Sequence, residues 1–219
     1  MKKQVMIIGL GQFGLALGRS LMDRDVEVIG VDREEELVDA AAPYLTEVRM
    51  LDATDESQLA SVFPAQRDAC VVAIGDHARE ASIISTALLK QLSARRVIAR
   101  ANTDVHERIL RLVGADQVVN PQREFGESFA SRVLHREIRG VLPLNEDQML
   151  MELLVPGYMH EQTLEKLNLQ GRFGVSVVAI RRPGKPRVEL VKGDLKLHQG
   201  DVLLLVAHEE DLERLVEGG

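Results

Sequence analysis

The chain has 219 residues, 45% hydrophobic and 28% charged, enough to fill one large core or one medium and one small core. A formal net charge of −7 opposes binding to a nucleic-acid backbone, and 3% aromatic residues with no Trp leave no stacking platform for single strands. No apolar run reaches the roughly 18–20 residues that span a bilayer. Met1-Lys-Lys-Gln leads into a strand-like run with no cleavage site, and Cys70 is the single cysteine, so a cytoplasmic protein without signal peptide or internal disulfide is expected.

The first ~120 residues alternate β-branched apolar runs with amphipathic stretches, the pattern of a parallel sheet wound with helices. Val5–Gly9 reads as a first strand, apolar without alternation, as a strand covered on both faces should be. Phe13, Leu17 and Leu21 recur every four residues and predict a helix. Strands follow at Val26–Val31 and Glu47–Leu51, with a helix around Leu37, Val38 and Ala41 between them and Pro43 as its stop. Thr54 is the candidate cap of the next helix, with Asp55 and Glu56 in its first turn. Ala69–Ile74, Arg96–Ala101 and Gln117–Asn120 complete the strands, separated by helices over Glu80–Leu92 and Asp104–Val113, the latter closed by Gly114.

Beyond Pro121 the pattern changes. Phe125, Phe129 and Val133, widened by Leu134 and Ile138, form one apolar stripe on a helix predicted over 122–138, either an arm toward a neighbouring subunit or an ordinary covering helix. Residues 139–147, with Gly140 and Pro143, read as a linker. Residues 148–219 read as a small α+β unit: strands at Met149–Val155, Val175–Arg181 and Val202–Ala207, helices at Thr163–Leu167 and Asp211–Val216, and a turn over 182–186.

Gly9-Leu-Gly-Gln-Phe-Gly14 matches G-x-G-x-x-G, and its context makes it informative: a strand before, a helix after, and Asp32 ending the next strand, 18 residues past Gly14. Gly9 allows the tight turn, Gly11 lets backbone approach a phosphate, and Gly14 lets helix and sheet close together. Free N–H groups at the helix start suit an anion, with Gln12 and Phe13 in that first turn. The Asp32 carboxylate accepts from ribose hydroxyls and repels a 2′-phosphate, which disfavours NADP; Arg33 follows it as a further binding candidate. The bland reading is a structural strand–helix turn that binds nothing.

Ligands of open parallel sheets sit outside the carboxyl ends of the strands, which gathers Asp52, Ala53 and Thr54, then Ile74, Gly75, Asp76 and His77, then Arg100 and Asn102. Asp52 and Thr54 suit an adenine edge, and Arg100 a phosphate, although a helix cap and a solvated strand-end charge explain Thr54 and Arg100 as well. His77 is either a base or a solvated loop histidine. Cys70 sits in an apolar run and reads as a buried, inert thiol.

At these residues the chain resembles the regulator-of-K⁺-conductance (RCK) family, the cytosolic Trk/Ktr-type gating subunits. The resemblance is carried by Ile8–Gly14, Val28–Asp32, Asp52–Asp55, Val72–Gly75, Ala99–Asn102, Gly114–Pro121 and, near the end, Gly193–Val206. It implies a Rossmann-like doubly wound domain (1–121), a crossover helix (122–138) joined by the linker (139–147) to a small C-terminal ligand-binding domain (148–219). It further implies an adenine nucleotide (ATP, ADP or NAD(H)) in the crevice and homodimers assembled into an octameric ring. That ring would dock at the inner face of the membrane under a K⁺ transporter or channel formed by other chains. Hinge changes between paired domains would pass the ligand state to the pore, and in some members the C-terminal domain takes a cyclic dinucleotide, for which Arg172 and His198 are the candidates here. Two positions depart from the Ktr pattern: Gln12 stands where many members have Arg, and Gln122 where they have Glu. The first removes a phosphate ligand and the second a cation ligand, so a divalent cation is left open.

Two other functions compete. A nicotinamide-dependent oxidoreductase needs a proton carrier, and His160, His198 and His208 are dispersed without an obvious partner. A redox-sensing transcription factor needs a basic helix-turn-helix unit, and none is visible. The reading is therefore a regulatory subunit rather than an enzyme, with no metal-ligand spacing of the C-x₂-C type.

Overall fold

Alternate residues of the first strand feed two different cores, which fixes the layered architecture of the N-terminal half. In the computed structural model, which describes residues 2–145 and 147–218 (Asp76, Glu209 and Glu213 by backbone alone), the strand β1 spans Gln4–Ile8. Ile7 packs on one side with Val28 and Val71, while Met6 and Ile8 pack on the other with Val31, Cys70 and Val72. A strand buried on both faces needs helices on both faces, and the chain supplies them.

The order of elements is β1, α1 (Gln12–Met22), β2 (Glu27–Asp32), α2 (Glu35–Ala41), β3 (Glu47–Met50) and α3 (Glu56–Ala60). Then come β4 (Ala69–Val72), α4 (Arg79–Gln91), β5 (Val97–Arg100), α5 (Asp104–Leu112) and β6 (Gln117–Val119). The strands form one parallel sheet in the order β3-β2-β1-β4-β5-β6. Phe13, Leu17 and Leu21 of α1, with Leu37 and Val38 of α2, cover the Ile7 face. Leu59 of α3, Leu89 of α4 and Leu110 of α5 cover the Met6 and Ile8 face. The sheet is thus Rossmann-like and doubly wound, and its strand order reverses between β1 and β4.

The caps are mostly where the sequence puts them, with one exchange. Gly114 closes α5 with φ +105°; its N–H donates to Arg111 O and that of Ala115 to Leu110 O, which satisfies two orphan carbonyls. Asp55, rather than Thr54, caps α3: its Oδ1 accepts from the amides of Ser57 (2.9 Å) and Gln58 (3.1 Å). The Thr54 hydroxyl instead donates to Asp52 at 2.7 Å, because the chain is still turning out of β3 at that point.

The chain divides into two units, Met1–Gln122 and Arg123–Gly219, and α6 (Pro121–Leu134) carries it across the division. This helix stops four residues short of the predicted Ile138, and residues 139–143 of the expected linker are strand. Ile138–Pro143 is strand β7, paired antiparallel with β8 (Gln148–Leu154). The local sequence, with Gly140 and Pro143, has weak strand preference; pairing with β8 and burial of Ile138 override it. An edge strand tolerates Pro143 because it needs no second ladder partner there.

The second unit continues with α7 (Leu164–Leu167), α8 (Leu169–Phe173), β9 (Ser176–Arg181), β10 (Val188–Leu190), β11 (Val202–His208) and α9 (Leu212–Glu217). Its antiparallel sheet has the order β10-β9-β11-β8-β7. Period-two burial puts Met149, Met151 and Leu153 of β8 and Leu203, Leu205 and Ala207 of β11 into one core. Leu167, Leu169, Phe173, Leu212 and Leu215 of the three helices close it. Two elements, α8 and β10, lie in stretches where the sequence predicted none.

Candidate functional site

At the carboxyl end of β1 the chain makes a turn that side chains would block. Gly9 has φ +97°, and a Cβ there would lie 2.9 Å from Ile74 N. Five residues on, a Cβ at Gly14 would lie 1.8 Å from Gly9 O, so α1 can approach β1 this closely only with glycine. Gly11 differs: it is the N-cap of α1, and a Cβ there would meet nothing within 4 Å. It faces open space, which leaves the backbone accessible there. Among the described residues no side chain caps α1, which leaves its first-turn N–H groups and the positive end of the dipole toward that space.

The loop borders a crevice of about 460 Å³ between the ends of β1 and β4, at the point where strand order reverses. Gly9, Gly11, Gln12, Phe13, Asp32, Arg33, Asp52, Ala53, Thr54, Ile74, Gly75 and Arg100 all line it. Gly14 does not; it is buried behind the loop as the packing glycine. His77 lines the crevice as an exposed residue of the 3-10 turn Asp76–Ala78, and Asn102 does not line it.

Asp32 holds the loop as well as facing it. One carboxylate oxygen accepts from the Leu10 amide at 2.7 Å, the other from the Glu34 amide at 3.0 Å. A carboxylate has about four acceptor positions, so two such bonds leave capacity for hydroxyl donors. Asp52 accepts both the hydroxyl (2.7 Å) and the amide (2.9 Å) of Thr54. The Thr54 hydroxyl, then its amide, with Arg33 adding charge, hold the Asp52 carboxyl below its ordinary range. Arg100 lies over the Phe13 ring, 5.4 Å from its centroid. Its Nε is buried and has no hydrogen-bond partner among the described residues.

Sequence reasoning missed part of the lining. Glu34 follows Asp32 on the same loop, and Ala78, Ala81 and Ser85 come from the N-cap and first half of α4. The last three recur at three and four residues, a helical face that the sequence shows but does not aim. Ser85 is held there by its hydroxyl, which donates to Ala53 O at 3.1 Å. Gln122 also lines the crevice.

The other candidates are tied into local structure. His160 Nε2 is 3.2 Å from Val155 O, and His198 Nδ1 is 2.8 Å from Glu161 Oε1. Arg172 donates to Gly218 O at 2.9 Å and stacks over Phe173. Cys70 is buried, and burial pushes its thiol up to about 12. Among the described residues no group of three His, Cys, Asp or Glu side chains stands ready to hold a metal ion, and no helix is long and apolar enough to cross a membrane.

Residues 5–121 match the TrkA-N domain model, and residues 150–217 match the TrkA-C domain model. The chain belongs to the RCK family. It is 32% identical over 214 residues to Ktr system potassium uptake protein C of Bacillus subtilis, covering 98% of this chain and 96% of that one. Ktr system potassium uptake protein A of the same organism is 29% identical over 217 residues, covering 99% and 97%. Among solved structures, the GsuK RCK domain superposes with a TM-score of 0.67 at 19% identity, covering 99% of this chain and 47% of that one. The GsuK channel bound to NAD gives the same TM-score at 20% identity, covering 99% and 40%. At such identities the two structures speak for the RCK fold alone.

Proposed function

We propose that this chain is the nucleotide-binding regulatory subunit of a membrane K⁺ transporter or channel formed by separate chains. The observation that carries the reading is the crevice at the reversal of strand order, where an uncapped helix start meets Asp32. Helix amides suit the phosphates and the carboxylate suits ribose hydroxyls, which together describe an adenosine nucleotide such as ADP, ATP or NAD(H). The K⁺ transporter comes from the relatives, whose names place them in Ktr potassium uptake systems.

The chain acts by binding, not by turnover. A ligand shifts a two-state equilibrium only by its differential affinity for the states, so the nucleotide gates the pore if it favours one hinge angle between paired subunits. The apolar residues of α6, with Phe125 64% exposed and stacked on Phe129, suit pairing of two copies, and such dimers close into an octameric ring on the cytoplasmic face. The test is K⁺ uptake in cells that lack their own uptake systems, expressing a Ktr-type membrane subunit with this chain or its Asp32→Asn variant. Nucleotide-dependent uptake with the native chain, lost in the variant, is expected. Uptake that is the same with and without the chain would contradict the proposal.

A further inference from the structure

The third residue of α3 reaches back out of its helix. Gln58 is exposed and lies outside the crevice, on the wall of a separate groove beside β3 that Met50 and Phe63 also line. Its side-chain oxygen accepts from the Asp52 amide at 3.0 Å, and its side-chain nitrogen donates to Asp55 Oδ2 at 3.1 Å. The Asp55 amide in turn donates to Asp52 O at 3.1 Å, which closes a ring of bonds through Asp52, Asp55 and Gln58.

A Gln in the third position of a helix ordinarily reaches back to the backbone amide of the capping residue. Here Asp52 O already takes the Asp55 amide, and Gln58 extends three residues further, to a residue that lines the crevice. The start of α3 does not require that bond, since Asp55 Oδ1 already meets the amides of Ser57 and Gln58. What the bond fixes is the backbone of Asp52. The side chain of Asp52 is fixed as well: the amide and the hydroxyl of Thr54 both donate to Oδ1, which leaves Oδ2 able to accept. Those bonds keep the carboxyl ionised near neutral pH, and so an acceptor only.

An acceptor held through both backbone and side chain suits the exocyclic amine that adenine carries and hypoxanthine lacks. We infer, granted that the crevice takes a nucleotide, that Gln58 is a positioning residue for the base: from outside the crevice it holds Asp52 where the carboxylate meets that amine. Gln58 does not line the crevice, so its substitution acts through Asp52, on the base and not on the ribose or the phosphates.

Titration calorimetry of the full chain with ADP and with inosine diphosphate, which has the same ribose and phosphates, tests this. The native chain is expected to bind ADP about tenfold tighter than inosine diphosphate. Gln58→Leu keeps most of the side chain's bulk and loses both of its bonds. In that variant ADP affinity should fall about three- to tenfold while affinity for inosine diphosphate stays within about twofold, so the preference closes. The retained binding of inosine diphosphate also shows that the variant is folded. A Gln58→Leu chain that keeps the native preference, or that weakens both nucleotides alike, would overturn the positioning role. Equal binding of the two by the native chain would overturn it as well, since Asp52 would then not read the base. A native chain that binds neither would instead overturn the nucleotide reading itself.

Discussion

The Asp32 carboxylate accepts a hydrogen bond from the Leu10 amide at 2.7 Å, so the acid that ends β2 also fixes the glycine loop that follows β1. On the proposed reading one residue links ligand recognition to the shape of the loop, and its substitutions should separate the two roles. Asp32→Asn keeps a carbonyl acceptor for Leu10 and loses the charge. Asp32→Ala loses both. The Ala variant should lose about 1–3 kcal/mol of stability from the orphaned amides, and the Asn variant less. Both should lose nucleotide affinity by about tenfold or more. Denaturant melts beside titration calorimetry check this; equal stability of the two variants would remove Asp32 from the loop's support.

The three loop glycines should divide by what a methyl group would meet. Gly14→Ala drives a Cβ to within 1.8 Å of Gly9 O and should cost about 2–4 kcal/mol as α1 is forced away from β1. Gly11→Ala meets nothing within 4 Å and should cost under about 1 kcal/mol, yet its methyl projects into the crevice and should weaken phosphate binding. Melting curves and titrations of both variants read the two effects apart. A Gly11→Ala variant with native affinity would mean that no ligand approaches the loop there.

Cys70 should be chemically silent in the native state. Its thiol is buried and pushed up to about 12 by desolvation, so the reactive thiolate is scarce at pH 8. Ellman's reagent should label it only after denaturant is added. Rapid labelling of the folded chain would show that β4 opens locally.

Asp55 gives the N-terminal unit an acid-sensitive cap. Hydrogen bonds from Ser57, then from Gln58, hold its carboxyl at about 2. A depressed carboxyl contributes stability that is complete above the unfolded value near 4 and fades as pH falls through about 2. The stability gap between the native chain and Asp55→Ala should therefore be full at pH 5 and shrink toward pH 2. Urea titrations across that range measure it, and a gap independent of pH would assign the cap's effect to something other than its charge.

How much of this was legible beforehand depends on where the determining forces lie. β1 and β2 were readable because their central runs, Val5–Ile8 and Val28–Val31, carry no polar side chain, as strands covered on both faces should, and the glycine loop because Gly9 and Gly14 answer local steric demands. β7 was not readable, since Arg139, Gly140 and Pro143 look like a linker until β8 pairs with them. β10, three exposed residues at a sheet edge, owes its form to β9 alone. Thr54 and Asp55 are both good caps one residue apart, and only the path of the chain out of β3 decides between them. The crevice was half legible in the same sense: strand-end residues could be collected by rule, whereas Ala78, Ala81 and Ser85 reach it only because α4 starts beside β4.

The central claim is that the crevice beside Asp32 binds an adenosine nucleotide, and direct titration of ADP, NAD⁺ and ATP into the full chain tests it most simply. Saturable binding of one nucleotide per chain, weakened about tenfold or more in Asp32→Asn, is the predicted result. A folded native chain that binds none of the three, or binds them equally well without the Asp32 carboxylate, would contradict it.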